Sequence, residues 1–262
     1  MRRIVVQYTQ NTQEKQNEKG KKMKIITVKN YDEMSALAAE IICQEVRNNP
    51  FATLGLATGS TVLGVYDALI QKCAAGQVTF RNVKAVNLDE YVGLDGNHKQ
   101  SYAYYMRHNL YDRIDIELMN TFIPCGTAED LLDECDGYNN MLDVIPRDLQ
   151  LLGIGSDGHI AFNEPDSPFE SRTRVVQLHP STVKDNSRLF ERIEDVPQSA
   201  ISMGIADIMS AKKLLLLASG SSKAQAVKDM VHGAVCEACP ASILQRHPDA
   251  IVIVDELAAA LL

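Results

Sequence analysis

Short apolar runs alternate with amphipathic stretches along most of the chain. The apolar runs have the length of β-strands and lie at about residues 24–28, 53–57, 83–88, 149–154, 212–218 and 250–254. Between them, apolar residues recur at helical spacing over about 32–47, 61–73, 99–111, 130–142 and 222–231, and a last helix is predicted to run to Leu262. Strands that alternate with helices form a mainly parallel sheet with helices on both faces. The pattern therefore predicts an α/β fold of the doubly wound type.

Two segments interrupt this alternation. Residues 10–22 are almost wholly polar and offer too little apolar surface to pack against a core, so residues 1–22 are predicted to form a disordered extension. Within it, only residues 4–8 have the β-propensity of an edge strand. The region from about 166 to 210 is expected to be a small, helical, lid-like insertion. No Pro/Gly-rich linker divides the remainder, and residues 23–262 are therefore predicted to form a single domain.

Composition and charge exclude several classes of function. The 262 residues are 45% hydrophobic and 23% charged, which is typical of a soluble globular protein. A formal net charge of −8 argues against broad binding to nucleic acid or to an anionic membrane, because both require a basic surface. No apolar run approaches the roughly 20 residues that cross a bilayer. The N-terminal residues lack the apolar region of a secretory signal.

The cysteines are scattered through the sequence, and this usage in a chain without an export signal favours reduced thiols and a cytoplasmic location. Only Cys236 and Cys239 lie close together. A zinc or redox interpretation of this pair requires a second pair or histidines at metal-ligand spacing, and the sequence offers neither. Coincidental spacing is the favoured interpretation, and no metal site is predicted.

The segment 149–165 concentrates the candidate chemistry. An apolar strand ends in glycines and is closely followed by Asp157, His159 and Glu164. In open α/β sheets, ligands bind at the carboxyl ends of the strands, which is where these side chains are expected. Each has an ordinary alternative, since Asp-Gly is a common turn and a single histidine is usually structural. Their clustering at a strand end nevertheless favours a site for proton transfer.

Two other strand ends carry polar groups. Gly59, Ser60 and Thr61 lie between a strand and a helix, where backbone N–H groups favour an anion such as phosphate. The segment lacks the lysine of a nucleotide-binding P-loop and the glycine pattern of a dinucleotide fold, and a simple capped turn is an equal alternative. Asp89 follows the third predicted strand, although acidic residues in this position are usually turn formers.

These segments closely resemble the glucosamine-6-phosphate deaminase family, within the sugar-phosphate isomerase and CoA-transferase-like fold group. The resemblance extends from about Met23 to the C-terminus and is carried by LGLATGST (54–61), NLDEYVGL (87–94), LLGIGSDGHIAFNEP (151–165), SRTRVV (171–176), NSRLF (186–190), GSSK (220–223) and PASILQRHP (240–248). The GHIAFNEP and NLDEY segments distinguish this family from its 6-phosphogluconolactonase relatives. Val62 and Ser156 depart from the family pattern, but neither is among the residues to which the resemblance assigns a role in catalysis or binding.

The resemblance implies conversion of glucosamine 6-phosphate and water to fructose 6-phosphate and ammonia, by ring opening, aldose–ketose isomerisation and loss of the amine. It implies that Asp89 is the base that moves a proton between C2 and C1. His159 would open the sugar ring by proton transfer at the ring oxygen. Asp157 and Glu164 would orient and tune that imidazole.

For the substrate phosphate, the resemblance implies Gly59, Ser60 and Thr61 with the loop amides, together with Arg188 and Lys223 from elsewhere in the chain. Two cations offset a dianion, and arginine can bind it in bidentate fashion. No metal or organic cofactor is implied, because the carbonyl and amine of the substrate carry the electronic changes. Family members differ in assembly, which leaves a possible homo-oligomer open.

Allosteric activation is not expected for this chain. Members of the family that are activated by N-acetylglucosamine 6-phosphate carry an extended C-terminal segment, whereas this sequence stops at Leu262. Val176 also occupies a position that is basic in those members.

Three rival functions remain at this level. A lactonase of the same fold would hydrolyse 6-phosphogluconolactone and would need no base for proton transfer between C2 and C1. A ribose-5-phosphate isomerase would transfer the proton without releasing an amine. A sugar-phosphate sensor would carry a helix-turn-helix module of roughly 50 residues, for which the polar N-terminal segment is too short. A substrate panel distinguishes these alternatives.

Overall fold

The computed structural model describes residues 12–16, 22–179, 183, 187, 190 and 192–262. Its strands are β1 (Thr12–Gln16), β2 (Lys22–Val28), β3 (Thr53–Leu56), β4 (Lys84–Asn87), β5 (Asp89–Tyr91), β6 (Thr121–Phe122), β7 (Leu149–Gly153), β8 (Arg174–Gln177), β9 (Ser199–Ser202), β10 (Leu214–Ala218) and β11 (Asp249–Asp255). The described helices are α1 (Tyr31–Asn48), α2 (Leu63–Ala74), α3 (Tyr102–Asn109), α4 (Leu131–Val144), α5 (Ile205–Met209) and α6 (Ala224–His232). None of these helices is long and apolar enough to cross a membrane.

A mainly parallel sheet forms the centre of the fold, as predicted. Its strand order is β1-β2-β11-β10-β7-β3-β4-β6, and all neighbours are parallel except β1 and β2. Every residue of β3 and β10 is buried. Because side chains alternate between the two faces of a strand, complete burial means that both faces of the sheet are covered. The doubly wound α/β prediction is confirmed.

The order of the strands creates a switch point between β3 and β7. From β3 the chain moves outward through β4 to β6, then returns to β7 on the other side of β3 and continues through β10 to β11. Connections that leave two neighbouring strands in opposite directions open a crevice at their carboxyl ends. The fold therefore places a crevice beside the segments that follow β3 and β7.

A second, antiparallel sheet corrects the prediction for residues 166–210. The described part of this region contains the strands β8 and β9 besides a 3-10 turn at Ile193–Asp195 and the short helix α5, so it is not helical throughout. The two strands join β5 in the order β5-β9-β8. Strands of three or four residues are too short to show a clear alternation of apolar and polar positions. A small apolar cluster packs with this sheet, formed by Tyr91, Phe162, Leu178, Val183, Val196 and Ala200.

The N-terminal prediction of disorder is wrong for residues 12–16. This segment forms β1, which pairs antiparallel with β2 from Thr12 opposite Ile26 to Gln16 opposite Lys22. An edge strand gains main-chain hydrogen bonds whatever its side chains are, so a polar composition does not exclude one. Lys22 begins β2, and residues 1–11 and 17–21, including the run at 4–8, lie outside the described residues.

Two predicted helices also differ in extent. The helix expected over 99–111 begins only at Tyr102, because the Ser101 hydroxyl caps it by accepting from the Tyr104 N–H at 3.0 Å. The helix expected to run to Leu262 is a series of turns, in which the Asp255 carboxylate accepts from the Ala258 N–H at 2.8 Å. A segment this short has too few residues to repay the cost of helix nucleation.

Two glycines provide a matched test of packing at the junction of the sheets. A Cβ atom added to buried Gly126 would lie 1.9 Å from the Tyr91 carbonyl oxygen of β5, whereas one added to exposed Gly137 in α4 would meet nothing within 4 Å. We expect Gly126→Ala to lower the free energy of unfolding by at least about 2 kcal/mol, as overpacking does. We expect Gly137→Ala to raise it by about 0.5–1 kcal/mol through helix propensity.

Urea denaturation of both variants beside the wild type measures these changes. Equal stability of Gly126→Ala and the wild type would contradict the close contact between Gly126 and β5.

Candidate active site

The carboxyl ends of β10, β7, β3 and β4 surround one open crevice. These four strands are neighbours in the parallel sheet, so the segments that follow them emerge at the same edge. The crevice has a volume of about 270 Å³. It is lined by Ala57, Thr58, Gly59, Ser60, Thr61, Val62, Leu88, Asp89, Tyr102, Gly153, Ile154, Gly155, Ser156, His159, Ala161, Phe162 and Lys223.

Residues 154–166, which we call the histidine loop, leave β7 and carry three of the predicted groups. The Nδ1 atom of His159 lies 2.7 Å from Oδ1 of Asp157 and 3.6 Å from Oε2 of Glu164. The shorter distance lies within hydrogen-bond range, although the carboxylate lies off the direction of the ring N–H. The imidazole keeps the pKa of Asp157 well below its usual range, so this carboxylate remains ionised beside the ring.

Glycines allow the histidine loop to fold this tightly. A Cβ atom at Gly155 would lie 2.3 Å from the imidazole ring of His159, so any side chain at position 155 would displace the ring. Gly158 adopts a φ of 88°, which L residues rarely tolerate. The loop can therefore fold back so that His159 lies against the residues that follow β7.

The same three side chains are of the types that bind metals, and their candidate ligand atoms lie within 4.8 Å of one another. Two ligands of one tetrahedral zinc ion, each about 2.0–2.1 Å from it, are separated by more than about 3 Å. The 2.7 Å between Nδ1 of His159 and Oδ1 of Asp157 is shorter than the separation expected for two ligands of one zinc ion. That the chemistry requires no metal stays a prediction.

Asp89 enters the crevice from the end of β4. Only 5% of its surface is exposed, and burial raises the pKa of its carboxyl group to about 8, with a smaller contribution from the charge of Glu90. The Glu90 carboxylate does not line the crevice and caps α3 instead, since it accepts from the N–H groups of Tyr102 and Ala103 at 2.8 Å each. Two adjacent acidic residues thus have separate roles, one facing the crevice and one structural.

Two loops of similar shape flank the histidine loop. After β3, Gly59 has φ 110° and precedes a 3-10 turn at Ser60–Val62 that leads into α2. After β10, Gly220 has φ 91° and precedes a 3-10 turn at Ser221–Lys223 that leads into α6. Neither turn has a side-chain N-cap, and helix starts of this kind favour a bound anion.

Each of these loops is fixed from outside the crevice. The hydroxyls of Tyr105 and Tyr31 donate to the carbonyls of Gly59 and Ser60, at 2.8 and 3.0 Å. The carboxylate of Asp255 accepts from the Ser219 hydroxyl at 2.6 Å and from the Gly220 N–H at 3.1 Å. The main chain of both loops is therefore held in place by contacts within the protein.

The structure brings most of the predicted site residues together. The crevice is lined by Gly59, Ser60, Thr61, Asp89, His159 and Lys223, and its lining does not include Asp157 or Glu164, which lie next to the His159 ring. Arg188 lies outside the described residues, and its role in phosphate binding stays a prediction.

Sequence reasoning missed the aromatic wall of the crevice. The rings of Tyr102 and Phe162 stack with their centroids 6.0 Å apart and their planes 7° from parallel. Tyr102 is the first residue of a helix in a different part of the sequence, and a single aromatic residue there gives no signal of a site. Phe162 lies within the GHIAFNEP segment but was not distinguished there from a core residue.

Known proteins resemble this chain over most of its length. The family model described as glucosamine-6-phosphate isomerases/6-phosphogluconolactonase matches residues 29–253. The glucosamine-6-phosphate deaminase of Clostridium perfringens (strain SM101) is 48% identical over 241 residues, which are 92% of this chain and 100% of that protein.

Two solved structures show the same fold. A glucosamine-6-phosphate deaminase described as monomeric superposes with a TM-score of 0.90 at 44% identity, over 92% of this chain and 100% of that one. A 6-phosphogluconolactonase from Trypanosoma brucei superposes with a TM-score of 0.76 at 20% identity, over 92% and 99% of the two chains, a likeness that shows the fold alone. The chain belongs to the family of glucosamine-6-phosphate isomerases and 6-phosphogluconolactonases.

Proposed function

We propose that this protein converts D-glucosamine 6-phosphate and water to D-fructose 6-phosphate and ammonia. The observation that carries the proposal is the pairing of a buried, proton-accepting Asp89 with His159 in one crevice beside two anion-binding loops. The relatives with this named activity match nearly the whole chain at almost half of its positions. The protein is therefore an enzyme that breaks a C–N bond with isomerisation.

The phosphate of the substrate binds between the two flanking loops. Ser60 and Thr61 supply hydroxyls and a helix start on one side, and Lys223 supplies a cation on the other. A phosphate dianion is stabilised by charged hydrogen bonds of this kind. Arg188 is proposed as a second cation on the basis of the family motif alone.

His159 opens the sugar ring. Its Nδ1 faces the carboxylates of Asp157 and Glu164, so Nε2, on the other edge of the ring, is the nitrogen that exchanges a proton with the ring oxygen of the substrate. The two carboxylates hold the plane of the ring. Their role is that of orienting groups next to a general acid–base.

Asp89 then transfers a proton from C2 to C1 of the open-chain sugar. The carboxylate removes the C2 proton and returns it to C1, while O1 gains a proton and the nitrogen on C2 loses one. The C1 aldehyde thereby becomes a hydroxymethyl group, and the C2 amine becomes an imine. Water adds to C2 and ammonia leaves, so that the ketose phosphate remains. A pKa near 8 makes the Asp89 carboxylate a stronger base than an exposed aspartate.

The described crevice is built from one chain, and the related deaminase structure is described as monomeric. We therefore propose that one chain completes the active site, and the homo-oligomer left open by the sequence is not needed for it.

All six thiols are free, in keeping with the proposed cytoplasmic location.

An ammonia-release assay tests the reaction and the substrate together. We expect the purified protein to form equimolar ammonia and fructose 6-phosphate from glucosamine 6-phosphate and to leave 6-phosphogluconolactone and ribose 5-phosphate unchanged. Consumption of the lactone without release of ammonia from the amino sugar would identify a lactonase and contradict the proposal.

Asp89→Asn tests whether Asp89 is the base of the reaction. We expect kcat to fall by about 10²–10⁴-fold, because the amide cannot accept the C2 proton, while KM changes little. Exposed Asp95→Asn is the control and should keep the wild-type kcat. More than about half of the wild-type kcat in Asp89→Asn would remove Asp89 from the reaction.

The same variant should be more stable than the wild type at alkaline pH. The carboxyl pKa rises from 3.8 to about 8 on folding, so the wild type loses stability as the pH rises through this window, whereas asparagine does not titrate. Urea denaturation should show Asp89→Asn gaining more than about 1 kcal/mol over the wild type between pH 5 and pH 8.5. A constant difference would contradict the raised pKa.

Lys223→Ala should weaken binding of the phosphate. We expect KM for glucosamine 6-phosphate to rise about ten- to hundredfold, the effect of losing a charged hydrogen bond of roughly 1.5–3 kcal/mol. Lys228, an exposed lysine on α6, the helix that follows Lys223, is the matched control, and Lys228→Ala should leave KM unchanged. Equal KM values in the two variants would place the phosphate elsewhere.

A further inference from the structure

The groups assigned to proton transfer lie on different parts of the fold. Asp89 is the first residue of β5 in the second sheet, whereas His159 and Glu164 lie on the histidine loop after β7 of the main sheet. A reaction that uses both needs them at a fixed separation, because a displacement of about 1 Å can cost about a hundredfold in rate. Both parts contact the dipeptide Ser202-Met203 at the end of β9.

On one side, this dipeptide holds the base. The N–H of Met203 donates to the carbonyl of Leu88 at 2.7 Å, and Ser202 lies directly opposite Asp89 in the antiparallel pairing of β5 and β9. The Leu88–Asp89 peptide is thus fixed to the end of β9.

On the other side, the same dipeptide holds the histidine loop. The Ser202 hydroxyl accepts from the N–H of Phe162 at 3.1 Å. The Asn163 amide donates to the carbonyl of Met203 at 2.9 Å and to the carbonyl of Ile160, within the loop, at 3.0 Å. Ser202, Met203 and Asn163 are fully buried, so water cannot replace these contacts without opening the core.

The part of the loop that is held this way has an unfavourable backbone. Ala161 adopts a φ of 52°, which a residue other than glycine keeps only where its surroundings enforce it. The two residues after Ala161 are those that bind Ser202 and Met203, and Glu164 follows directly. The contacts therefore maintain the stretch between His159 and Glu164.

We propose that Ser202 is a positioning residue of the active site, whose hydroxyl keeps the histidine loop in register with the base Asp89. The inference rests on the proposed function. Ser202 does not line the crevice, and it acts through Phe162 and the neighbouring loop. The anion-binding loops follow β3 and β10 and do not depend on this contact, so its loss affects the chemical step and leaves phosphate binding unchanged.

Replacement of the hydroxyl tests this assignment. Ser202→Ala removes the acceptor of the Phe162 N–H and leaves the main chain of β9 in place, and Ser202→Thr keeps an Oγ acceptor. Ser199→Ala, at the other end of the same strand, is the matched control. The measurements are kcat and KM for glucosamine 6-phosphate, corrected for the folded fraction of each preparation.

We expect kcat to fall about tenfold in Ser202→Ala with KM within about threefold, and to stay near the wild-type value in Ser202→Thr and Ser199→Ala. A kcat within about twofold of the wild type in Ser202→Ala would overturn the proposal. Equal losses in the alanine and threonine variants would also overturn it, because packing rather than the hydroxyl would then be responsible.

Amide hydrogen exchange provides a readout that needs no turnover. The peptide that covers residues 159–164 should exchange faster in Ser202→Ala than in Ser199→Ala or the wild type, and equal exchange rates would overturn the positioning role. If the wild type releases no ammonia and exchange over residues 159–164 is still faster in Ser202→Ala than in the wild type, the proposed function is contradicted. The contact between Ser202 and the histidine loop is then established independently of it.

Discussion

The parallel pairing of β7 with β3 on one side and with β10 on the other determines where the histidine loop and its two flanking loops lie. Parallel strands end at the same edge of a sheet, so the loops that follow these strands converge although they are far apart in the sequence. The pairing is stable because the strands are buried on both faces by helices packed against the core. The position of the site is thus a consequence of the strand order, and the chemistry depends on the residues that each loop contributes.

Burial of Asp89 shows how the fold shapes the reactivity of one of these residues. Its carboxyl group is almost completely removed from water and carries a raised pKa, whereas Asp157, beside the imidazole of His159, has a lowered one. Two aspartates near one crevice therefore differ in character: Asp89 is a stronger base than an exposed aspartate, and Asp157 keeps its negative charge. The raised pKa also means that the folded state is less stable with Asp89 ionised, which is the form that accepts a proton.

Much of the fold and of the site could be predicted from the sequence, and the failures have identifiable causes. The parallel strands and their helices have long, periodic apolar patterns, and the motifs around Asp89, His159 and Lys223 lie at their ends. The second sheet was missed because β8 and β9 are too short for a period to appear, and β1 because main-chain pairing needs no apolar side chains. Tyr102 reaches the crevice only through tertiary packing, and no local pattern marks it.

The two similar loops beside β7 have a consequence for which ligands the crevice accepts. Each combines a left-handed glycine with a short 3-10 turn, and they approach from opposite sides of the histidine loop. A tetrahedral phosphate presents three terminal oxygens in different directions and can contact both loops at once. For the proposed substrate, the phosphate dianion also carries more negative charge than the single carboxylate of a sugar acid, so two loops that each favour an anion suit a sugar phosphate better.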